Sequence, residues 1–547
     1  MPVAVALATF LVFSGALGND FVDWDDARNF LVNPHFPVLG WANLRWAFLP
    51  SSGVTYSPLV WLLFSLTHAF WGLDPRGYHL TGVLVHVAVA VLLYHVTILI
   101  LQSSAPGRKN DSPAVVRWSA GLATLLFALH PLRVEAVAWA SAQHHALASL
   151  FFLASSWSYL KSRAARDARG TPGRWPEAAL LCYALSLLSG PIGATLPVVL
   201  LILDVYLTLS RDGDLGKLDL RARLREKAPY FALAVLAGAA TLRARAASGG
   251  FVPVARHGVG ERVLQALFGL AFYFWKTLVP LRLSPLYPLP DRLNLLDRPF
   301  LLSGIFVASM TVAALGARRR CPAVLAAWTY YIVVLLPVLG LAQFGQQLVA
   351  DRYSYLASIG LAVLAAGASA RLWRAWGARA RQAAGAAAAA ALFALSGLTV
   401  REVKAWHDSE SLWRSALETN PDAPLAHYNL GNVLFERGEI AEAIRQYELT
   451  LKSWPNYPRA HNNLGLALYR QGKLDDAIGH YDLALRAAPN FAEAHYDLGL
   501  ALSREGKTRE AIRHYELALE SRPDWAAVRD HLRSALAAVA VHEPARP

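Results

Sequence analysis

The sequence predicts an all-α protein in two parts, a polytopic transmembrane helical bundle followed by an α-solenoid. Three observations carry that prediction. Hydrophobic residues make up 55% of the 547-residue chain and charged residues only 17%, a balance too apolar for three soluble domains. The apolar residues gather in runs near 2–18, 77–101, 116–131, 139–160, 177–190, 192–209, 229–247, 263–281, 299–317, 322–342, 353–373 and 383–400, of the length a bilayer crossing needs. After residue 400 the pattern changes to self-similarity at a spacing of 34 residues. A mean hydropathy of +0.31 with 17 Trp excludes disordered, collagen-like and small disulfide-stapled architectures.

The first run, 2–18, has no charged leading region and ends in Ala16-Leu17-Gly18-Asn19, a poor cleavage site, so a retained anchor is expected. A mis-set start codon is the alternative. The stretch 19–76 follows as a loop, opening with Asp23-Trp24-Asp25-Asp26. Three carboxylates within four residues at a membrane surface suit general-base work on a hydroxyl, since one is desolvated while another orients it. Helix capping by Asp25 or Asp26 fits the same spacing equally well. The segment 56–71 is short and Trp-rich and is expected to lie in the interface.

Further ionisable groups sit at the ends of apolar runs, where burial is costly and function is a default hypothesis. His79 lies in Gly77-Tyr78-His79-Leu80; His130 and Glu135 lie in His130-Pro131-Leu132-Arg133-Val134-Glu135. A structural His–Glu or Arg–Glu pair is as good a reading there as a substrate contact. His144 and His145 are adjacent and point apart on a helix, a poor metal pair. Lys276 and Arg352 fall near the edges of runs on the same side as 19–76, placed to hold a phosphate of a lipid-linked substrate. Snorkelling is the competing account for Lys276. Cys182 and Cys321 support neither a disulfide framework nor a zinc site.

The net charge of +13 is unevenly placed: residues 401–547 hold 18 Lys/Arg against 21 Asp/Glu, and residues 1–400 hold 34 against 18. The excess therefore lies in short loops and is an orientation signal rather than a nucleic-acid footprint. Loops 161–174, 210–227, 318–320 and 371–381 are rich in Lys/Arg, as is 102–117 with Arg108, Lys109 and Arg117; all are expected to be cytoplasmic. About eleven spans satisfy this pattern, with the N-terminus cytoplasmic and both 19–76 and everything after 400 on the outer side. One of the segments between 229 and 317 then does not span.

In the last part, His427-Tyr428-Asn429-Leu430-Gly431 recurs as His461 to Gly465 and His495 to Gly499, with Ala443/Ala477/Ala511, Tyr447/Tyr481/Tyr515 and Pro455/Pro489/Pro523 in register. This is the tetratricopeptide (TPR) pattern, in which small residues let two antiparallel helices approach and the Pro ends the second. The expected domains are 1–400 in the membrane, 401–423 as linker and partial repeat, repeats at 424–457, 458–491 and 492–525, and 526–547 as capping helix and tail. The repeated His is read as helix-packing surface.

In this order, Trp24-Asp25-Asp26 with Asn33-Pro34, Ser57-Pro58-Leu59, Gly77-Tyr78-His79-Leu80-Thr81, His130-Pro131 with Glu135, Thr195-Leu196-Pro197 through Asp204, Ala350-Asp351-Arg352-Tyr353 and Trp406-His407-Asp408-Ser409 resemble one family along nearly the whole chain. It is the GT-C type membrane glycosyltransferases with C-terminal TPRs, similar to bacterial relatives of the transmembrane and TPR O-mannosyltransferases. The resemblance implies a GT-C-like bundle, a polyprenyl-phosphate-linked sugar donor, inverting transfer to a protein hydroxyl, and an acid of the first outer loop as base. Asp25 and Asp26 match that position; Lys276 and Arg352 are assigned to the donor phosphate, and Asp23, His79, His130 and Glu135 to substrate contacts. The expected partners are the lipid-linked donor, membrane lipid and a protein acceptor in the TPR groove, with no nucleic acid. The expected location is a bacterial inner membrane with a periplasmic TPR domain. No cofactor is required; a divalent metal is compatible with acidic pairs but not indicated. Two departures stand out: Ser189-Gly190-Pro191 where relatives carry Ser-Lys-Pro, and Ala142-Gln143-His144-His145 where relatives carry a charged run. The second reading, from another class, is a non-catalytic TPR scaffold organising envelope proteins.

Overall fold

The computed structural model describes residues 1–49, 56–104, 112–247, 257–290, 292–341, 345 and 347–542. Arg108 and Lys109, residues 50–55 of the loop expected on the outer side and 543–547 of the tail lie outside them. The described chain is helical apart from one antiparallel pairing of Tyr287–Pro288 (β1) with Gln347–Val349 (β2). It forms two compact units, Met1–Asp408 and Ser409–Pro547.

The first unit begins with α1 (Pro2–Phe13), α2 (Trp41–Phe48), α3 (Pro58–Trp71), α4 (Pro75–Ser103), α5 (Pro113–Ala128) and the short α6 (Val134–Ala138). It continues through α7 (His144–Arg169), α8 (Trp175–Ser189), α9 (Leu196–Asp212), α10 (Leu220–Ala247) and α11 (Val259–Leu278). The last four are α12 (Arg298–Ala317), α13 (Pro322–Leu335), α14 (Ser354–Ala375) and α15 (Ala378–Ala405). Proline opens α3, α4, α5 and α13, at positions whose N–H has no helical partner to lose. Asp74 caps α4 by accepting from the backbone N–H of Arg76 at 3.0 Å, satisfying one orphan donor.

Five of the described helical segments are long and apolar enough to cross a membrane: α4, Pro191–Asp212, α12, Asp351–Ala375 and α15. Four shorter apolar helices accompany them, at Pro2–Gly18, Pro58–Trp71, Trp175–Ser189 and Pro322–Val338. The run read from sequence as a span at 116–131 is not straight: Pro113–Ala128 and Pro131–Ala138 meet at 61°. Pro131 cannot donate into the α5 ladder, and the His130 ring accepts from the Leu132 N–H at 3.2 Å, starting a new turn. That bend turns Glu135 back into the unit. Segment 56–71, expected in the interface, is helix α3, and it packs Trp61 and Phe64 into an aromatic core with Phe30 and Tyr78.

Several polar groups buried in this unit are paired across helices, as a low-dielectric interior favours. His86 of α4 lies between the Tyr355 hydroxyl at 2.6 Å and the Ala128 carbonyl at 3.0 Å, joining α4, α5 and α14. Asp204 of α9 accepts from Tyr159 at 2.7 Å and Lys227 at 2.6 Å and also pairs with Arg163, tying α7 and α10 to α9.

The second unit is an α-solenoid of TPRs: α16 (Ser409–Thr419), then the pairs α17 (Pro424–Glu436) with α18 (Ile440–Ser453), α19 (Pro458–Arg470) with α20 (Leu474–Ala487), and α21 (Ala492–Arg504) with α22 (Thr508–Ser521), closed by α23 (Ala526–His542). Each pair is joined by a turn at Gly438, Gly472 or Gly506, with φ of +82°, +82° and +83°, a conformation that favours glycine. The repeated histidines have a packing role. In the second repeat, His461 Nε2 donates to the Pro455 carbonyl at 2.9 Å, which leaves Nδ1 to accept from His480 at 3.1 Å. The third repeat reproduces this with Pro489 and His514 at 2.9 and 3.0 Å.

Close helix approach inside each repeat depends on the shared glycine. A Cβ at Gly465 would lie 2.7 Å from the Tyr481 ring. Gly465→Ala is therefore expected to destabilise the TPR unit by about 1–3 kcal/mol through overpacking, read as earlier loss of the unit's protection in thermal or denaturant-dependent proteolysis of the full chain.

Candidate active site

The acidic loop after α1 is fastened by Asp26. This side chain is fully buried, and it accepts from the Val22 N–H at 3.1 Å and the Ser141 N–H at 3.0 Å, and also from the Ser141 hydroxyl. One carboxylate thus ties the turn at 22–26 to the turn before α7. Burial pushes its carboxyl up to about 7, and the Ser141 and Val22 donors only partly offset this. Asp25, one residue away, is differently placed. It is only partly buried, and among the described residues its carboxylate makes no hydrogen bond or ion pair. Burial raises its carboxyl above the ordinary range, against the opposing fields of Arg352, Arg28 and Arg245. Asp23 is exposed on the same turn.

Arg352 is presented to this loop by a chain of tethers. Gln265 of α11 donates to the Leu348 carbonyl at 3.0 Å, and the Ala350 N–H donates to the Tyr273 hydroxyl at 3.2 Å. Tyr287 of β1 donates to Asp351 at 3.2 Å. Glu135 then grips residue 352 twice: Oε2 accepts its backbone N–H at 2.7 Å, and Oε1 pairs with its guanidinium. The guanidinium lies 5.4 Å from the Trp139 ring centre and 4.9 Å from that of Tyr353, within cation–π range. Trp139 in turn contacts Trp24 at 5.9 Å and stacks on Trp406 at 5.6 Å. An aromatic wall therefore runs from the acidic loop, under Arg352, to the end of α15.

Of the residues singled out from sequence, Asp23, Asp25 and Asp26 share one turn, Arg352 pairs with Glu135 and its field reaches Asp25, and Lys276 lies in the fields of Asp351 and Glu402. Lys276 Nζ also donates to the Leu281 and Arg282 carbonyls at 2.5 and 2.9 Å, closing the end of α11. His79 and His130 are both buried. Among the described residues neither ring nitrogen of His79 has a hydrogen-bond partner; His130 Nε2 donates to the Thr277 carbonyl at 3.1 Å while Nδ1 accepts from Leu132, so both of its nitrogens are engaged.

Three participants were not singled out as site residues. Asp351 is a buried neighbour of Arg352. Glu402 on α15 is half-buried and, among the described residues, its carboxylate has no hydrogen bond or ion pair. Arg133 is fully buried, bonded to Ser354 at 3.0 Å, with its Nε and one terminal nitrogen without partners. Charges at the ends of apolar runs were the available signal for all three. Among the described residues, no three His, Cys, Asp or Glu side chains come together as metal ligands. The two departures from the family pattern lie side by side: a Cβ at Gly190 would be 3.5 Å from the His144 carbonyl and 3.7 Å from its ring.

Human protein O-mannosyl-transferase TMTC1 is 27% identical over 499 residues, covering 82% of this chain and 54% of that protein. Mouse protein O-mannosyl-transferase TMTC4 is 26% identical over 496 residues, covering 81% and 65%. Human TMTC2 is 32% identical over 211 residues, covering 37% and 23%. The chain is similar in sequence to these TMTC proteins. It spans between about half and two thirds of the length of TMTC1 and TMTC4. The tetratricopeptide repeat family matches at 405–458, 435–492 and 468–536. Among solved structures, the first TPR of RPAP3 bound to an HSP90 peptide is 28% identical over 21% of this chain and 93% of that one, with a TM-score of 0.21.

Because Asp26 anchors the acidic loop, Asp26→Ala is expected to destabilise the membrane unit by about 2–4 kcal/mol, leaving backbone and hydroxyl donors unpaired. The folded protein keeps the Asp26 proton up to about pH 7, whereas the unfolded chain releases it near pH 4, at about the ordinary carboxylate value. Stability from this group is therefore full at low pH and falls as pH rises through 7. Asp26→Asn is expected to remove that slope from the unfolding temperature measured in detergent between about pH 5 and 8.

Proposed function

We propose that this chain is a membrane glycosyltransferase of the GT-C type. It moves a sugar from a polyprenyl-phosphate-linked donor to a protein hydroxyl on the side of the membrane that holds Asp25. The observation that carries the reading is one anchored and one unengaged carboxylate side by side, with the unengaged Asp25 in the field of Arg352. Similarity to proteins named O-mannosyl-transferases supports the same chemistry.

Asp25 takes the proton of the acceptor hydroxyl as its oxygen attacks the anomeric carbon. The bond from that carbon to the phosphate oxygen breaks, and the phosphate leaves with the electron pair. Attack opposite the leaving group inverts the anomeric centre. Arg352, held by Glu135 and backed by Trp139, meets the charge that develops on the leaving phosphate; Arg28 and Arg245 add to the positive potential at Asp25. Lys276 contributes its charge beside Asp351. Such fixed charges stabilise a transition state without reorganising. The Lys/Arg-rich loops at the other helix ends favour a cytoplasmic position for themselves, and so a periplasmic position for Asp25. The TPR unit recruits the acceptor. Arg470 stacks on Phe435 at 4.7 Å and Arg504 on Tyr469 at 5.1 Å, a ladder along the first helices that suits an extended peptide.

In proteoliposomes supplied with polyprenyl-phosphate mannose and acceptor peptides, Asp25→Asn is expected to lower transfer by roughly 10²–10⁴-fold while the unfolding temperature stays at the wild-type value. Transfer must rise with pH as Asp25 loses its proton, and because burial raises that carboxyl, the acid limb lies above the ordinary carboxylate value of about 4. Unchanged transfer in Asp25→Asn removes the catalytic reading and leaves the scaffold.

A further inference from the structure

A large cavity of the membrane unit lies away from Asp25. It has a volume of about 1540 Å³ and is walled by apolar faces of α4, α7, α9, α13 and α14, larger than the roughly 300–1,000 Å³ that encloses a drug-sized ligand. Its mouth is set at the opposite helix ends. Along α14, Arg352 precedes the first turn while Arg371 and Arg374 sit in the last, about 30 Å away at 1.5 Å per residue, which is the thickness of a bilayer core. Arg211, Arg318, Arg319, Arg320, Arg371 and Arg374 line the mouth, with Asp214 as its one acid.

Not all of these cations are neutralised. Arg211 is paired with Asp167 at 2.8 Å, and Arg318 donates to the Leu315 carbonyl at 3.0 Å. Arg319 and Arg320 are exposed, and among the described residues neither guanidinium has a hydrogen bond or ion pair. A largely apolar, open-sided cavity rimmed by arginines matches the two halves of one kind of molecule. Arginine forks bind phosphate oxygens, and apolar walls accept chains that water does not. Basic pockets between transmembrane helices take anionic headgroups on this principle.

We propose that this cavity binds an anionic glycerophospholipid of the leaflet on the arginine side, its phosphate at Arg319 and Arg320 and its acyl chains between α4, α9, α13 and α14. The site is separate from the Asp25 cluster by the length of α14, so its occupant is not the sugar donor of the proposed reaction. That last distinction rests on the glycosyltransferase reading; the lipid site itself rests on the cavity and its rim alone.

The test uses the full chain, delipidated in detergent, with binding read by native mass spectrometry and by the unfolding temperature. Phosphatidylglycerol is expected to bind and to raise the unfolding temperature, and phosphatidylcholine with the same chains to do so much less. The double substitution Arg319→Gln with Arg320→Gln, at exposed positions, is expected to weaken phosphatidylglycerol by roughly tenfold or more without moving the lipid-free unfolding temperature. Val363→Trp, which fills the chamber, is expected to weaken it with the arginines intact. Equal binding of the two lipids, or indifference to both variants, overturns the proposal. An equal shift from inorganic phosphate overturns it in favour of a soluble anion, and tighter, arginine-dependent binding of polyprenyl phosphate overturns it in favour of the carrier lipid. Loss of Asp25-dependent transfer bears on the enzyme reading alone and leaves these lipid measurements unaffected.

Discussion

The double grip of Glu135 on residue 352 is the constraint on which the candidate site depends. One carboxylate accepts both the backbone N–H and the guanidinium of Arg352, so the short helix after the bend at His130 and the turn before α14 cannot move apart without exposing a buried charge. A buried pair of this kind is costly to break even where forming it adds little net stability. It is also directional. It holds the guanidinium across Trp139, and Trp139 connects through Trp24 and Trp406 to the acidic loop and to α15. The bend at 61° that brings Glu135 inward is thus part of the site and follows from a proline that no straight helix accepts.

The second constraint is Asp26, and it separates two neighbours that sequence treats alike. Three donors converge on Asp26 and bury it, and its adjacent residue, Asp25, is left with a partly buried carboxylate facing arginine fields. General-base chemistry needs a carboxylate that is desolvated enough to be basic and unengaged enough to accept a proton. Rigid support from one residue and freedom in the next is a common way to meet both demands.

The membrane unit is polar at both ends and in different ways. One end gathers carboxylates with a few clamped cations, and the other gathers arginines around an apolar chamber. The overall excess of positive charge belongs to the second. In the TPR unit, buried polar groups serve packing: the histidine pairs His461–His480 and His495–His514 link the two helices of a repeat and hold the preceding proline carbonyl.

Much of this was legible in the sequence. The all-α class, the apolar runs and the 34-residue repeat follow from local periodicity, which a single helix already expresses. The Asp23–Asp26 stretch, Glu135 and Arg352 stood out as candidates because charges at the edges of apolar runs are expensive to keep there. What sequence could not decide was partnership. Whether Asp25 or Asp26 is anchored depends on Ser141, and the engagement of His130 depends on backbone groups such as the Thr277 carbonyl. The linkage of Glu402 to Lys276 and Asp351 joins residues far apart in the chain. The chamber behind the arginines is formed by five helices that are not consecutive. Periodicity is a property of one segment, whereas hydrogen-bond satisfaction and enclosed volume belong to several segments at once, and only the tertiary structure brings those together.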